Sequence, residues 1–214
     1  MKIFLDTARV KTIEYHLETG LVDGVTTNPS LIRQSGEDPL DVYSAIADLG
    51  IKDISMEVTG TAQEMFAEGM ALSDKYESVA TIKLPMTRDG LIACKELSRN
   101  LVRTNVTLIF TIPQAILAAK AGATYVSPFV GRLDDQQVAG LEVVRGIAGL
   151  YAQKGYHTNV LAASIRSVHR AVRAFYNGAQ AVTMPPEVFA AMYNHILTDV
   201  GLEIFEKDFA AIGK

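Results

Sequence analysis

Eight short apolar segments rich in β-forming residues recur along the chain, and stretches with helical periodicity separate them. These segments are residues 2–6, 21–27, 53–58, 79–84, 102–109, 124–129, 157–164 and 179–184. Strands that alternate with amphipathic helices are typical of α/β proteins with a parallel sheet. The alternation extends over nearly all of the 214 residues and restricts the fold more than any other feature of the sequence.

The predicted strands are nearly continuous apolar runs, as expected where both faces of a parallel sheet are buried. We therefore predict an α/β fold, a (β/α)8 TIM barrel, formed by a single domain over residues 1–214. An open doubly wound sheet is the alternative, but no glycine-rich phosphate-binding pattern follows the first strand. Residues 186–214 are predicted to form the final helix plus an extra C-terminal helix, a tail whose apolar side chains indicate oligomerisation.

Charge and composition argue against several classes of partner. The chain has 20 Lys plus Arg against 24 Asp plus Glu, a formal charge of −4, so we expect no nucleic-acid partner. The longest uncharged stretch, residues 104–119, is too short and too polar to span a membrane. A single cysteine, Cys94, permits no intramolecular disulfide, and we expect a cytoplasmic protein.

Polar residues interrupt or follow the apolar segments at their carboxyl ends, where a (β/α)8 barrel carries its chemistry. From the first strand to the seventh, these candidate residues are Asp6, Thr26, Asn28, Glu57, Lys83, Asn105, Thr107, Arg132, Ser164 and Arg166. Their recurrence at equivalent places predicts one shared site.

Lys83 is the sharpest candidate, because the segment VATIKLP places one ammonium among apolar side chains. Burial penalises the charged form, and a neutral amine is a nucleophile that forms a Schiff base with a ketone. Asp6 and Glu57 are suited to the two proton transfers that such chemistry needs. The structural alternative is a lysine that merely forms an ion pair with Asp6 or Glu57.

The other polar residues are suited to substrate binding. Thr26, Asn28, Asn105 and Thr107 are candidates to hold substrate hydroxyls or a water, although the TTNPS segment also matches ordinary turn chemistry. Arg132, Ser164 and Arg166 predict a phosphate site near the last strands, with solvated ion pairs as the alternative for the arginines. The four histidines show no metal-ligand spacing, so we expect no metal.

Six motifs in order along the whole chain, LDTA, DGVTTNPSLI, TIKLP, NVTLIFT, SPFVGR and LAASIR, resemble those of the transaldolase family. The resemblance is closest to the short subfamily that includes fructose-6-phosphate aldolases. It implies that Lys83 forms the Schiff base, that Asp6 is the acid/base, and that Glu57 and Thr107 position a water. It also implies that Asn28 and Asn105 hold the dihydroxyacetone moiety beside Thr26, and that Arg132, Ser164 and Arg166 bind phosphate.

The resemblance further implies a transaldolase that passes dihydroxyacetone from sedoheptulose 7-phosphate or fructose 6-phosphate to an aldose phosphate, without a cofactor, in the pentose phosphate pathway. Fructose-6-phosphate aldolases typically carry glutamine and tyrosine where this chain has Glu57 and Phe129. The alternatives are such an aldolase and a non-catalytic sugar-phosphate-binding barrel. In this subfamily similar tails join subunits into pentamers or decamers, so we expect a homo-oligomer.

Overall fold

The computed structural model describes residues 1–212 and forms a closed barrel of eight parallel strands that pair in chain order. The strands are β1 Lys2–Asp6, β2 Gly24–Thr26, β3 Ile54–Glu57, β4 Ala80–Pro85, β5 Thr104–Ile109, β6 Tyr125–Pro128, β7 Asn159–Ala162 and β8 Ala181–Met184. Pairing of β1 with β8 closes the cylinder. The predicted (β/α)8 TIM barrel is confirmed, and each strand falls in the segment predicted for it, except that β4 extends one residue further, to Pro85.

Helices fill every gap between the strands and surround the barrel. They are α1 Val10–Leu17, α2 Pro29–Ser35, α3 Pro39–Asp48, α4 Ala62–Tyr76, α5 Arg88–Arg99, α6 Ile112–Lys120, α7 Val130–Asp135, α8 Gly140–Lys154, α9 Val168–Tyr176, α10 Pro186–Ala191 and α11 Ile196–Ile212. A short 3-10 helix, Glu77–Val79, leads into β4. Local sequence fixes several boundaries: Thr61 and Glu64 form a reciprocal capping box at the start of α4, as their spacing predicts.

Side chains alternate across each strand and build two separate cores. Outward-facing residues such as Val25, Ile82 and Val106 belong to the large cluster between the barrel and its helices. A smaller cluster, which includes Phe4 and Tyr125, lies inside the barrel. Gly24 makes room for it, because a Cβ at that position would lie 2.3 Å from the Phe4 ring.

The amino-terminal end of the barrel is closed by a buried polar network around Asp53. Its carboxylate accepts hydrogen bonds from Thr81 Oγ1 at 2.7 Å, Arg103 Nη1 at 3.0 Å and Tyr125 Oη at 3.1 Å. Lys2 Nζ in turn donates to Tyr125 Oη at 3.0 Å. Because this network seals the amino-terminal end, the barrel opens at the carboxyl ends of its strands.

The segment after β8 forms α10 and α11, which match the predicted final helix and extra helix; Gly213 and Lys214 of the predicted tail lie outside the described residues. No side chain of α11 is buried, and Ile196 is 74% exposed. Phe189 of the predicted tail is buried and contacts the His16 ring edge-on at 5.3 Å, so it does not add to the exposed apolar surface. Within residues 1–212, no helix combines the length and apolar character needed to cross a bilayer.

Candidate active site

Register between neighbouring strands brings the predicted residues to one level of the barrel. Asp6 on β1 pairs with Thr26 on β2, and Lys83 on β4 pairs with Glu57 on β3 and with Asn105 on β5. In-register parallel neighbours project their side chains to the same side of the sheet. Residues distant in sequence therefore meet inside the cylinder.

A cavity of about 110 Å³ lies at the carboxyl ends of the strands. Predicted residues form most of its lining: Asp6, Thr26, Asn28, Lys83, Thr107, Phe129, Arg132 and Ser164. Glu57, Asn105 and Arg166 are predicted site residues that do not line it. Its size suits a small polar molecule and is well below that of typical drug-sized pockets.

Lys83 is held at the inner end of this cavity by two polar contacts. Its side chain is 6% exposed, and Nζ lies 2.8 Å from Glu57 Oε2. Nζ also donates to the Thr27 carbonyl oxygen at 2.9 Å. Of the two ion-pair partners considered from the sequence, Lys83 contacts Glu57, which compensates the charge that burial alone would penalise. The same carboxylate is placed to accept the proton that Lys83 must lose before it attacks a carbonyl.

Asp6 faces the same cavity from β1. Thr26 Oγ1 donates a hydrogen bond to Asp6 Oδ1 at 2.8 Å. Burial raises the pKa of the Asp6 carboxyl above its ordinary value, while the Thr26 hydrogen bond and the charge of Lys83 act in the opposite direction. A carboxyl with a raised pKa is suited to proton exchange closer to neutral pH.

Two polar residues of β5 approach the site in different ways. Asn105 is fully buried, with its amide nitrogen 3.2 Å from Ser55 Oγ and its amide oxygen accepting from Ser127 Oγ at 2.7 Å. The Thr107 hydroxyl is buried, lines the cavity and has no hydrogen-bond partner among residues 1–212. A buried hydroxyl without a partner normally bonds to a water or ligand, so Thr107 is a point where the cavity can hold a polar atom.

Asn28 has a structural function as well as a place in the cavity wall. Its side-chain oxygen accepts from the Leu31 backbone nitrogen at 3.0 Å and so caps α2. The turn-chemistry interpretation of TTNPS is therefore partly correct. The cap orients the amide so that its nitrogen remains available to donate.

Phe129 and Arg132 form the outer wall of the cavity. The Arg132 guanidinium lies over the Phe129 ring, 5.0 Å from its centroid, and Phe110 contacts that ring edge-on at 5.9 Å. Stacking of this kind fixes a guanidinium while leaving its N–H groups free for an anion. Arg132 thus places a positive charge in the cavity wall.

Ser164, two residues after the end of β7, adopts a left-handed backbone conformation with φ of 57°. The loop packs so tightly on α7 that a Cβ on Gly131 would lie 2.4 Å from the Ser164 carbonyl oxygen. Gly131 N donates to that oxygen at 3.0 Å. Only glycine permits this approach, which brings Ser164 beside Arg132 at the cavity.

Arg166 does not line the cavity and forms a bidentate ion pair with Asp135, with both N–O distances 2.6 Å. It borders a shallow depression outside the mouth, and Arg132 lines both this depression and the cavity. Both partners of the ion pair are about half exposed. Arg166 therefore lies next to the predicted phosphate site and is held by a competing carboxylate.

Sequence reasoning missed three residues of the cavity wall, the apolar Ala163 and the polar pair Ser127 and Thr183. Both occupy inward positions of strands, two residues after Tyr125 and Ala181 of the inner core. A period of two, counted from an inward apolar residue, would have identified them. Within residues 1–212, no three His, Cys, Asp or Glu side chains group as ligands for a metal ion.

Comparison with known proteins agrees with this geometry. The family model described as Transaldolase/Fructose-6-phosphate aldolase matches residues 3–213. A protein of Caulobacter vibrioides named "Probable transaldolase" is 49% identical, over 100% of this chain and 99% of its own. Proteins with the same name from Caulobacter sp. strain K31 and Rhizobium meliloti are 50% and 48% identical over the same shares.

Proposed function

The chain belongs to the transaldolase/fructose-6-phosphate aldolase family, and from this premise we propose that it is a transaldolase that works through a Schiff base on Lys83. The donor is sedoheptulose 7-phosphate or fructose 6-phosphate. The acceptor is glyceraldehyde 3-phosphate or erythrose 4-phosphate. The reaction belongs to the non-oxidative pentose phosphate pathway and requires no cofactor, because the protonated imine itself serves as the electron sink.

The observation that carries the proposal is a buried amine in contact with both a carboxylate and a cavity. Lys83 Nζ pairs with Glu57 at 2.8 Å, and its side chain borders the space that Asp6 also borders. A lysine needed only for structure has no reason to open onto a polar cavity. An amine, two carboxylates and an unpaired hydroxyl are the groups that imine formation and carbon–carbon cleavage require.

Imine formation begins when Lys83 transfers a proton to Glu57 and attacks the ketose carbonyl carbon. The carbonyl oxygen gains a proton to give a carbinolamine, which then loses that oxygen as water to leave the protonated imine. Glu57 and Thr107 are assigned to handle this water, because Glu57 contacts Nζ and the Thr107 hydroxyl has no hydrogen-bond partner in the described part of the chain.

Cleavage follows when Asp6 accepts the proton of the hydroxyl beside the breaking bond. The O–H electrons form the aldehyde, and the electrons of the broken carbon–carbon bond move onto the imine to give a neutral enamine. The first aldose leaves, the acceptor aldehyde enters, and the enamine carbon attacks it while Asp6 returns the proton. Hydrolysis of the new imine then releases the product and Lys83.

Charged groups at the mouth support a phosphorylated substrate. Arg132 is fixed by the Phe129 ring, and Ser164 lies beside it. Arg166 is close enough to the same region to join them if it releases Asp135. We assign phosphate binding to these three residues, while Thr26, Asn28 and Asn105 hold the dihydroxyacetone end.

A fructose-6-phosphate aldolase is the nearest alternative, and Phe129 bears on the choice. A tyrosine hydroxyl at this position would bring a proton donor to the cavity wall and favour release of free dihydroxyacetone. The phenyl ring supplies no proton and leaves the enamine to wait for an aldehyde. We therefore propose transfer rather than release as the main reaction.

The test measures both products with purified protein. With fructose 6-phosphate and erythrose 4-phosphate, the wild-type protein should form sedoheptulose 7-phosphate, and without an acceptor it should release little dihydroxyacetone. Phe129→Tyr should raise the release, with Phe110→Tyr as the matched control on the neighbouring ring. Rapid release by the wild type would identify an aldolase. Phosphate-ester binding without either product would identify a non-catalytic barrel.

We also propose a homo-oligomer, a pentamer or decamer by resemblance, joined through α11. The support is that none of the 17 residues of this helix is buried, although it carries Ile196, Leu197, Phe205 and Phe209. Exposed apolar side chains in this number usually mark a contact surface.

A cytoplasmic location is proposed from the single cysteine, whose thiol is buried in α5. Fractionation of cells tests this location.

A further inference from the structure

Two threonine hydroxyls and a carboxylate form a continuous chain inside the barrel. Thr183 Oγ1 lies 2.7 Å from Thr26 Oγ1, which donates to Asp6 Oδ1 at 2.8 Å. The threonines come from β8 and β2, the two strands that flank β1. Both are buried, and Thr183 also lines the cavity.

The number of protons in this chain fixes its direction. A hydroxyl has one proton, so Thr26 cannot donate to Asp6 and to Thr183 at once. While Asp6 is ionised it accepts from Thr26, and Thr183 must then be the donor in the 2.7 Å contact. The single Thr183 proton is consequently committed to Thr26 for as long as Asp6 is ionised.

We propose that Thr183 is a positioning residue of the active site, which donates to Thr26 and thereby holds the Asp6 carboxylate ready to accept the substrate's hydroxyl proton. This role rests on the proposed function, since Asp6 has a proton to accept only if the carbon–carbon bond is cleaved there. Once Asp6 is protonated, the chain can reverse, and the Thr183 hydroxyl is released to donate toward the cavity.

Other charged groups around Asp6 do not substitute for this chain. Lys83 from β4 favours the ionised carboxylate and Glu57 from β3 disfavours it. Arg9 and Glu187 border a second cavity that Asp6 also lines. None of these four groups makes a hydrogen bond or ion pair with Asp6 in residues 1–212, whereas Thr26 does.

The decisive experiment titrates Asp6 without turnover. Proteins with ¹³C-labelled aspartate carboxyls are followed by NMR across pH, and Asp6→Asn assigns the signal. In Thr183→Val the ionised carboxylate loses the polarising donor behind Thr26, so its midpoint should rise by about 0.2 to 0.7 pH units. Thr183→Ser keeps the hydroxyl and should titrate as the wild type does.

The acidic limb of kcat/KM for the transfer reaction should move by the same amount and in the same order of variants, with KM nearly unchanged. Equal Asp6 midpoints in wild type and Thr183→Val would overturn the inference even if the wild type transfers normally. A wild type that neither forms an imine nor transfers would instead overturn the proposed function. If Thr183→Val does not fold, Thr183→Ala, which also lacks the hydroxyl, is held to the same expectation.

Discussion

Lys83 Nζ and Glu57 Oε2 lie 2.8 Å apart, and the two residues are register partners on adjacent strands of the barrel. The proposed nucleophile and its proposed proton acceptor are therefore positioned by adjacent strands of the sheet and not by loops. Side chains supported by strands hold their geometry more accurately than those on loops. Substitutions in this pair should have different effects if its function is catalytic than if it is only structural.

Glu57→Gln retains the shape and a hydrogen-bond acceptor but removes the proton acceptor. We expect kcat to fall by about 10²-fold, within the usual range for loss of a general base, with a smaller change in KM. Steady-state kinetics measure both. Glu68→Gln, on the groove behind Glu57 and away from Lys83, is the matched control and should retain wild-type kcat. Normal turnover in Glu57→Gln would reduce Glu57 to a structural partner.

The ionised Asp6 carboxylate should lower the free energy of unfolding near neutral pH. Burial raises the pKa of Asp6 in the folded protein above its unfolded value. The contribution of Asp6 to the free energy of unfolding is therefore fully present below the pKa of the unfolded state. It is lost as the pH rises through the pKa of the folded state. Asp6→Asn resembles the neutral carboxyl, so its Tm near neutral pH should equal or exceed that of the wild type, while transfer falls by about 10² to 10⁴-fold.

Thermal unfolding of wild type and Asp6→Asn in mild acid and near neutral pH checks the sign. The difference in Tm between the two proteins should shrink in acid, where Asp6 itself becomes neutral. A variant that is clearly less stable than wild type near neutral pH would show that the carboxylate contributes stability through its Thr26 hydrogen bond.

The proposed phosphate binding by Arg166 requires the guanidinium to leave Asp135, because a carboxylate and a phosphate use the same edge of a guanidinium. Asp135→Asn should therefore tighten binding of inorganic phosphate by about two- to fivefold, the range for an exposed ion pair. Competitive inhibition of transfer measures this affinity. Asp134→Asn is the control, because Asp134 forms its ion pair with Arg170 and not with Arg166. Weaker phosphate binding in Asp135→Asn would mean that Asp135 positions Arg166 instead.

Deletion of residues 196–214 should leave the barrel folded but reduce its assembly. No side chain of α11 is buried, so the barrel core loses nothing when the helix is removed. Sedimentation velocity should show a smaller species than the full chain forms. The far-ultraviolet circular dichroism should lose only the contribution of one helix. A full-length protein that sediments as a monomer would contradict the proposed oligomer.

The fold was predictable because its local and global signals agree. Each of the eight strands lies in an apolar run, and features such as the Thr61–Glu64 capping box need only neighbouring residues. The fate of Phe189 was not predictable, because its burial depends on contact with His16 in α1, more than 170 positions earlier. Helical periodicity shows that a face is apolar but not which surface covers it.

The extension of one domain over residues 1–214 stays a prediction.

The sequence predicted which strands contribute residues to the candidate site, but not which of their side chains contact each other. Polar residues at strand ends had to converge once the barrel closed. The position of Arg166, however, depends on Asp135, and the chain from Thr183 to Asp6 depends on strands β8 and β2 meeting across β1. Such pairings are set by three-dimensional register, which a single sequence does not contain.

The central claim is that Lys83 forms the covalent intermediate. Protein incubated with fructose 6-phosphate is reduced with borohydride, digested, and mapped by mass spectrometry, with Lys83→Met as the control. We predict one reduced dihydroxyacetone adduct, located on Lys83 and absent from the variant. An adduct on another lysine, or full transfer activity in Lys83→Met, would contradict the account.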